Sequence, residues 1–419
     1  MKAIIISIGD ELLIGQTINT NAAWMGSEMS RLGFSIVRTV AVSDKREDIL
    51  QILGESEGNA DVVLITGGLG PTSDDITKPV LCEFFGTRLV ENSEVLEMIK
   101  EMISRRNGVL NEKNRKQAEV PESCRVLFNA AGTAPGMWFE KAGTIFISMP
   151  GVPGEMKHLM SVQVLPELSK RFTTQVIIHR NIMLYGEAEA RLAERLTSFE
   201  AGLPESVKLA YLPSYGIIKL RLTATGKERI EVEKIVDKQV EILSSIIPEL
   251  IYSFEEEGLE TTVGKLLMER KATLCTAESC TGGNIARMIT SVAGSSRYFL
   301  GSVVAYDNSV KISQLKVPVE MIVEHGAVSK EVAVAMSEGA RKLFGASYAI
   351  AVTGIAGPDG GTAEKPVGTV CISVSSPSRT ISSKLVFGSD RLINISRFST
   401  AALDMLRRAI IEEGTASGN

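Results

Sequence analysis

Histidine is nearly absent from this chain. Its 419 residues include three, His158, His179 and His325, far apart in sequence. A serine–histidine–acid triad and a histidine-rich zinc site are therefore disfavoured. The five cysteines, Cys82, Cys124, Cys275, Cys280 and Cys371, are scattered and form no C-x-x-C pair. That excludes a disulfide scaffold and a zinc–thiolate site, and it predicts a reducing, cytoplasmic setting. No apolar run reaches the roughly 18–20 residues that span a bilayer, so no membrane association is expected. A secretory leader is not expected either. Ala3–Ile8 is apolar but short, and it runs straight into Gly9-Asp10-Glu11, which reads as a first buried strand. A charge excess is also missing: 50 acidic residues stand against 45 basic ones, a net charge of −5. Such a surface offers no general attraction to nucleic acid or anionic lipid. Lys113, Arg115 and Lys116 form only a small basic patch.

What the chain does have is a rhythm of strand, glycine turn and helix. Ala3–Ile8, Ser35–Val40, Asp61–Thr66 and Ile145–Ser148 read as strands. Thr20–Leu32, Lys45–Glu57 and Asp74–Phe85 read as helices between them. Buried strands alternating with helices predict an α/β domain with a parallel sheet. Around Arg171 the pattern changes to a small α+β unit with strands at Gln175–Ile178 and Tyr215–Thr225 and helices at Glu187–Leu196 and Glu228–Ile247. The acidic run Glu255-Glu256-Glu257 marks the next boundary, and a second α/β domain follows. The expected division is 1–170, 171–254 and 255–413, with a frayed tail over 414–419.

Chemistry concentrates at two places. In the C-terminal domain the strand Thr273–Thr276 hands over to a helix through Glu278-Ser279-Cys280-Thr281-Gly282-Gly283. A serine at such a turn can act as a nucleophile while nearby N–H groups hold an oxyanion. With so little histidine, Lys311 is the best base, provided burial lowers its pKa, and the Tyr306 hydroxyl can relay the proton. Ser279 can equally be a helix cap. Cys280 is an alternative nucleophile or an inert buried thiol. Gly354–Gly361 reads either as a phosphate cradle or as a plain flexible loop. In the N-terminal domain, Gly9-Asp10-Glu11, Gly67-Gly68 and Asp74-Asp75 fall at the carboxyl ends of strands, where open α/β sheets bind ligands. The glycines suit an anion, and the carboxylates suit Mg²⁺ or a similar hard cation. The plainer reading of Asp74-Asp75 is a cap or dipole complement.

Thr276–Gly283, Tyr306-x-Asn308-x-x-Lys311, Gly326-Ala327-Val328-Ser329, Thr353–Pro358 and Lys365–Val370 resemble the CinA C-terminal domain, a family similar to nicotinamide-mononucleotide amidohydrolases of the PncC type. The resemblance implies release of ammonia from nicotinamide mononucleotide without a cofactor. It places the nucleophile at Ser279, the lysine at Lys311 and the tyrosine at Tyr306. Thr281, Gly282, Gly283, Asn308, Gly354 and Gly357 are then substrate contacts. Many members carry Gly-Asp-Arg with a second arginine four residues on. Here Gly388-Ser389-Asp390-Arg391 has one residue more and the later position is Ile395, so Arg391 and Arg397 are the phosphate candidates. Asn19-x-Asn21, Thr66–Thr72, Gly132-x-Ala134-Pro135-Gly136 and Met149–Pro153 resemble the molybdopterin-binding fold of the CinA N-terminal domain. In that family setting it implies a metal-dependent ADP-ribose pyrophosphatase without a Nudix pattern. Gly67, Gly68 and Asn19 would touch substrate, with Asp10, Asp44, Asp74 and Asp75 at the divalent metal. The middle unit is similar to the KH-like linker of full-length CinA proteins. It lacks a Gly-x-x-Gly clamp, so no direct nucleic-acid binding is expected.

The leading expectation is thus a bifunctional nucleotide-recycling hydrolase acting as a homodimer. Two other readings stand beside it: a molybdopterin-binding or transferase protein, and a non-enzymatic partner of competence or recombination proteins.

Overall fold

The computed structural model describes residues 1–72, 75–105, 108–172, 175–214 and 216–416. Asp74 and Tyr215, which fall within expected elements, lie outside the described residues. The chain divides into two compact units, Met1–Ile178 with Ala224–Ile235, and His179–Thr223 with Val236–Asn419. Among the described residues, no helix is long and apolar enough to cross a membrane.

The first unit is built on β1 (Lys2–Ile8), β2 (Ser35–Val42), β3 (Val62–Thr66), β4 (Leu89–Glu91), β5 (Glu119–Pro121), β6 (Arg125–Leu127), β7 (Gly136–Lys141) and β8 (Thr144–Met149). Six of them form one sheet in the order β2-β1-β3-β8-β7-β6, and β4 pairs with β5 apart from it. The run Ala3–Ile8 is apolar at every position but Ser7 because both of its faces are covered. Ala3 and Ile5 pack with Met25, Met29 and Met156 on one side. Ile4, Ile6 and Ile8 pack with Ile49, Leu53 and Leu81 on the other. The expected parallel order holds for β2-β1-β3-β8. It breaks at β7, which runs antiparallel to β8. The cause is local: Ala142 and Gly143 both have positive φ, 49° and 79°, and a two-residue turn of that kind returns the chain as a hairpin.

The middle region holds β9 (Val176–Tyr185), β10 (Val207–Ser214), β11 (Ile217–Gly226) and β12 (Ile251–Ser253), with helices Glu189–Ala201 and Arg229–Ile246. Its sheet order is β10-β11-β9-β12. The element order is therefore β-α-β-β-α-β, two strands more than the periodicity predicted.

The last sheet contains β13 (Leu274–Glu278), β14 (Phe299–Val304), β15 (Tyr348–Gly354), β16 (Thr369–Ser375) and β17 (Thr380–Val386), in the order β14-β13-β15-β16-β17. The first three strands are parallel and the last two antiparallel. Leu274, Ile350 and Val352 face Val263, Phe398 and Leu406. Cys275, Ala277 and Ala351 face Val332 and Met336. The helix Lys330–Phe344 starts at a Ser329 cap, whose side chain accepts from Val332 N, and ends at Gly345 in the left-handed conformation.

One polar group inside the first unit has a measurable consequence. Lys78 is only 8% exposed. Its Nζ donates to the carbonyls of Gln117 at 2.8 Å and Glu119 at 2.9 Å. Burial pulls its pKa from 10.5 down to about 8, against the opposing pull of Glu119, Cys124 and Asp75. Between these two values the unfolded chain binds the proton and the folded chain does not, so stability rises with pH across that window. Both tryptophans, Trp24 and Trp138, lie in this unit. We predict that urea unfolding followed by tryptophan fluorescence shows wild type gaining on the order of 3 kcal/mol relative to Lys78→Met between pH 8 and 10.5. Parallel pH profiles for the two proteins would refute this.

Candidate functional site

The Ser279 turn is shaped by a residue that sequence reasoning did not single out. Glu278 ends β13 with no exposed surface. Its carboxylate accepts from Ile285 N at 3.0 Å, Ala286 N at 2.8 Å and the Thr281 hydroxyl at 2.8 Å. Two of the first amides of the helix Asn284–Thr290 are thus engaged by the protein's own carboxylate. The chain must double back to allow this, and Gly282 and Gly283 supply the positive φ, 61° and 94°. The available signal was a lone acid closing an apolar strand.

Ser279 is held at the turn by its N–H, which donates to Val352 O at 2.9 Å. It lines a cavity of about 310 Å³ together with Cys280, Tyr306, Asn308, Lys311 and Arg391. Gly354, Gly357 and Asp359 complete one wall. Lys311 is 1% exposed. Burial lowers its pKa, while Asp307 and Cys280 oppose the shift. Its Nζ donates to Ala305 O at 2.9 Å and Tyr306 O at 3.2 Å. The Tyr306 hydroxyl, on a side chain 59% exposed, accepts instead from Arg391 Nη2 at 3.0 Å. Arg391 Nη1 reaches Gly357 O at 2.7 Å, and Asn394 Nδ2 holds Ala356 O at 2.9 Å and Gly388 O at 2.8 Å. The first turn of the helix Arg391–Ala416 therefore fastens the glycine loop.

Thr281, Gly282 and Gly283 build the turn without lining the cavity. Arg397 does not line it either. Its Nε is buried without a partner, and its charge counters the burial that pushes the Tyr185 phenol up to about 12. The glycines of the loop have a steric role. A Cβ on Gly354 would lie 2.6 Å from Thr369 O, and one on Gly357 would lie 2.6 Å from Val367 Cγ1.

The N-terminal motifs converge on a second, smaller pocket of about 120 Å³ at the carboxyl ends of β1 and β3. Ser7, Glu11, Asn19, Asn21, Thr66 and Gly67 are among its walls. Asn19 caps the helix Thr20–Arg31, its Oδ1 accepting from Ala22 N at 3.0 Å. Gly67 and Gly68 are required by packing: a Cβ would come within 2.1 Å of Ile8 O at the first and 2.1 Å of Thr77 Oγ1 at the second. Gly67 N donates to Met149 O.

The carboxylates expected at a metal do other work. Asp44 accepts from Asp10 N at 3.0 Å. Asp75 ties its own loop by accepting from Gly70 N at 2.7 Å and Thr72 N at 2.9 Å. Asp74 lies outside the described residues. Among the described residues, no three His, Cys, Asp or Glu side chains gather in a way that could hold a metal ion. The expected Mg²⁺ site is therefore corrected: the carboxylates of Asp44 and Asp75 bind backbone amides, which suit them as well as a cation does.

Fold and cavities together define a three-domain α/β protein with a small pocket in each of its two larger domains. Family profiles match as a probable molybdopterin binding domain over 4–170, a damage-inducible protein CinA KH domain over 179–253, and the CinA C-terminal domain over 256–410. A CinA-like protein of Cytophaga hutchinsonii is 46% identical over 408 residues, covering 97% of this chain and 98% of that one. Another, of Flavobacterium psychrophilum, is 45% identical over 414 residues, with 98% and 99% covered. A crystal structure of the protein CinA with unknown function from Thermoplasma acidophilum is 34% identical, covering 41% of this chain and 96% of that one, with a TM-score of 0.37. The chain belongs to the CinA family.

Family membership carries no particular activity here, and the expected pair of hydrolases is overturned. The metal-dependent pyrophosphatase lacks a cluster of metal ligands among the described residues. The serine amidohydrolase lacks its dyad: Lys311 is engaged by two backbone carbonyls, and no hydrogen bond joins it to Ser279 among the described residues.

Two outcomes follow from this geometry. Glu278→Ala strips the helix amides of their acceptor and should lower stability by about 3 kcal/mol, read as the thermal midpoint by circular dichroism; an unchanged midpoint would contradict the pinning role. Burial pushes the Cys280 thiol up to about 12, so it should escape iodoacetamide at pH 8 in the folded protein and react once urea unfolds it. Peptide mapping by mass spectrometry distinguishes the two, and rapid native labelling would restore Cys280 as a nucleophile.

Proposed function

We propose that this protein binds a molybdopterin-type pterin through its N-terminal α/β domain. The observation that carries the reading is the pocket at the carboxyl ends of β1 and β3, reached by Asn21, Thr66 and Gly151. Ligands of open α/β sheets bind in that position. The match of residues 4–170 to the profile described as a probable molybdopterin binding domain supports the same ligand. Asn21 borders this pocket. Asn21 is 9% exposed and its Oδ1 is buried without a partner, while Nδ2 donates to Gly151 O at 2.7 Å.

We further infer that the Ser279 cavity is a ligand pocket in its own right. Asn308, Tyr306 and Arg391 are its polar contacts, and the buried Lys311 lines the same cavity. No reaction is assigned to it.

Titration with molybdopterin, followed through quenching of Trp24 and Trp138, should saturate. Gly151→Val adds bulk to the pocket wall and should weaken binding roughly tenfold or more. A parent protein that shows no saturable quenching, or a variant that binds as well as the parent, would overturn the reading.

A further inference from the structure

The acidic run Glu255-Glu256-Glu257 reads in the sequence as a boundary between domains, yet each of its carboxylates is tied down. Glu255 and Glu257 pair with Lys265 at 2.8 and 2.7 Å. Glu257 also accepts from the Ser253 and Thr262 hydroxyls at 3.0 and 3.1 Å. Glu256 accepts from Asn181 Nδ2 at 3.0 Å and Lys219 Nζ at 2.5 Å. The connection from β12 into the helix Leu259–Glu269 is thus fastened on both sides. Strand β9 is apolar on both faces near its end. Ile182 and Leu184 are buried. Met183 and Tyr185 point the other way by strand alternation and pack against the core of the C-terminal domain, as does Ile217 of β11. Tyr252 of β12 is a buried member of that core, beside Leu259, Phe398 and Leu406. The last helix, Arg391–Ala416, meets the same strands with charge. Asp404 and Arg407 are 4% and 5% exposed. Asp404 accepts from Arg407 Nε and Nη2 at 2.9 and 2.8 Å and from Arg408 Nε at 2.6 Å. Arg407 Nη1 donates to Ile251 O of β12 at 3.4 Å. Arg408 lies against the turn after β9, where a Cβ on Gly186 would come within 3.0 Å of its Nη2.

We propose that strands β9 and β12 of the middle region are a working part of the C-terminal domain, and that they unfold with it as one cooperative unit that includes the walls of the Ser279 cavity. The residues that meet at this seam all lie within one compact unit, His179–Thr223 with Val236–Asn419. Parting them would bare Met183, Tyr185, Ile217 and Tyr252 to water and strip Arg407 Nη1 of its acceptor. The last helix serves both places. Its first turn fastens the glycine loop of the cavity through Arg391 and Asn394. Four turns on, Asp404 and Arg407 hold the middle strands. The partner that fits this face of β9 is a segment of the same chain, and the cavity rests on it.

Hydrogen exchange of the full-length protein across low urea concentrations, read by mass spectrometry, is the test. In wild type, peptides covering Met183–Tyr185, Ile251–Ser253 and Ala349–Val352 should share one urea dependence of exchange. Ile217→Ala removes volume at the seam from the side of the middle region. It should speed exchange of all three peptides by a common factor, roughly tenfold. Iodoacetamide labelling of Cys280, in the cavity wall, should rise by the same factor. Exchange of Met183–Tyr185 and Ile251–Ser253 through a separate opening, with a shallower urea dependence than Ala349–Val352, would overturn the proposal; this wild-type comparison stands whether or not the variant folds. An effect of Ile217→Ala confined to the middle strands, with Ala349–Val352 and Cys280 unchanged, would overturn it as well.

Discussion

A single buried carboxylate sets the form of the C-terminal pocket. Glu278 has no exposed surface, and it is tolerated inside because three donors converge on it within seven or eight residues of chain. A buried charge without such partners would cost several kcal/mol. The need to satisfy it dictates the path from β13 into the next helix. The turn must fold back, which requires left-handed residues, and glycines occupy both positions. Ser279 is carried to the cavity by that path. Its location is a consequence of the pin, and the same pin occupies two amides at the start of the next helix. A serine at a strand-to-helix turn is therefore not enough to define a nucleophile.

The two pockets share a topological position and differ in electrostatics. Both lie where parallel strands end and hand over to helices. The Ser279 cavity combines Lys311 and Arg391 with one acid, Asp359. The N-terminal pocket has a carboxylate and no basic side chain among its described walls. The common topology explains why both domains can hold small molecules, and it leaves open which ones. That choice belongs to a few side chains whose partners are already determined by the fold.

Much of the architecture was legible in the sequence. Runs such as Ala3–Ile8 and Tyr348–Thr353 announce strands covered on both faces, because a strand with one solvated face would alternate polar and apolar residues. The short strands between Leu89 and Leu127 were not legible. Each has three residues, too few for a period to show. The antiparallel return at Ala142-Gly143 was hidden because a non-glycine residue takes positive φ there. At the candidate sites, Ser279, Tyr306, Asn308, Lys311 and Arg391 line one cavity, and it was the family resemblance, not spacing, that grouped them. Their bonding was legible in neither. Whether Lys311 turns to a hydroxyl or to two carbonyls depends on the conformation of Ala305 and Tyr306, which no periodicity encodes. The carboxylates were misread for a related reason: an acid beside glycines binds exposed amides or a cation with the same atoms.

Glycine-rich motifs invite a ligand reading, and the distances here argue for a stricter criterion. At Gly67 the obstacle to a side chain is Ile8 O, and at Gly354 it is Thr369 O. These glycines let backbone approach backbone, which is reason enough for their presence without any ligand. A polar atom that the fold leaves unpaired is a better indicator, but only when its residue also borders a cavity. Asn394 shows why. Its Oδ1 is buried and unpartnered like that of Asn21, yet its amide nitrogen ties the Ala356 and Gly388 carbonyls behind the cavity wall. It is not among the described residues lining the Ser279 cavity, so its unpaired oxygen is a cost of fastening the loop. Asn21 meets both conditions, an unpaired acceptor and a place in the wall of a pocket.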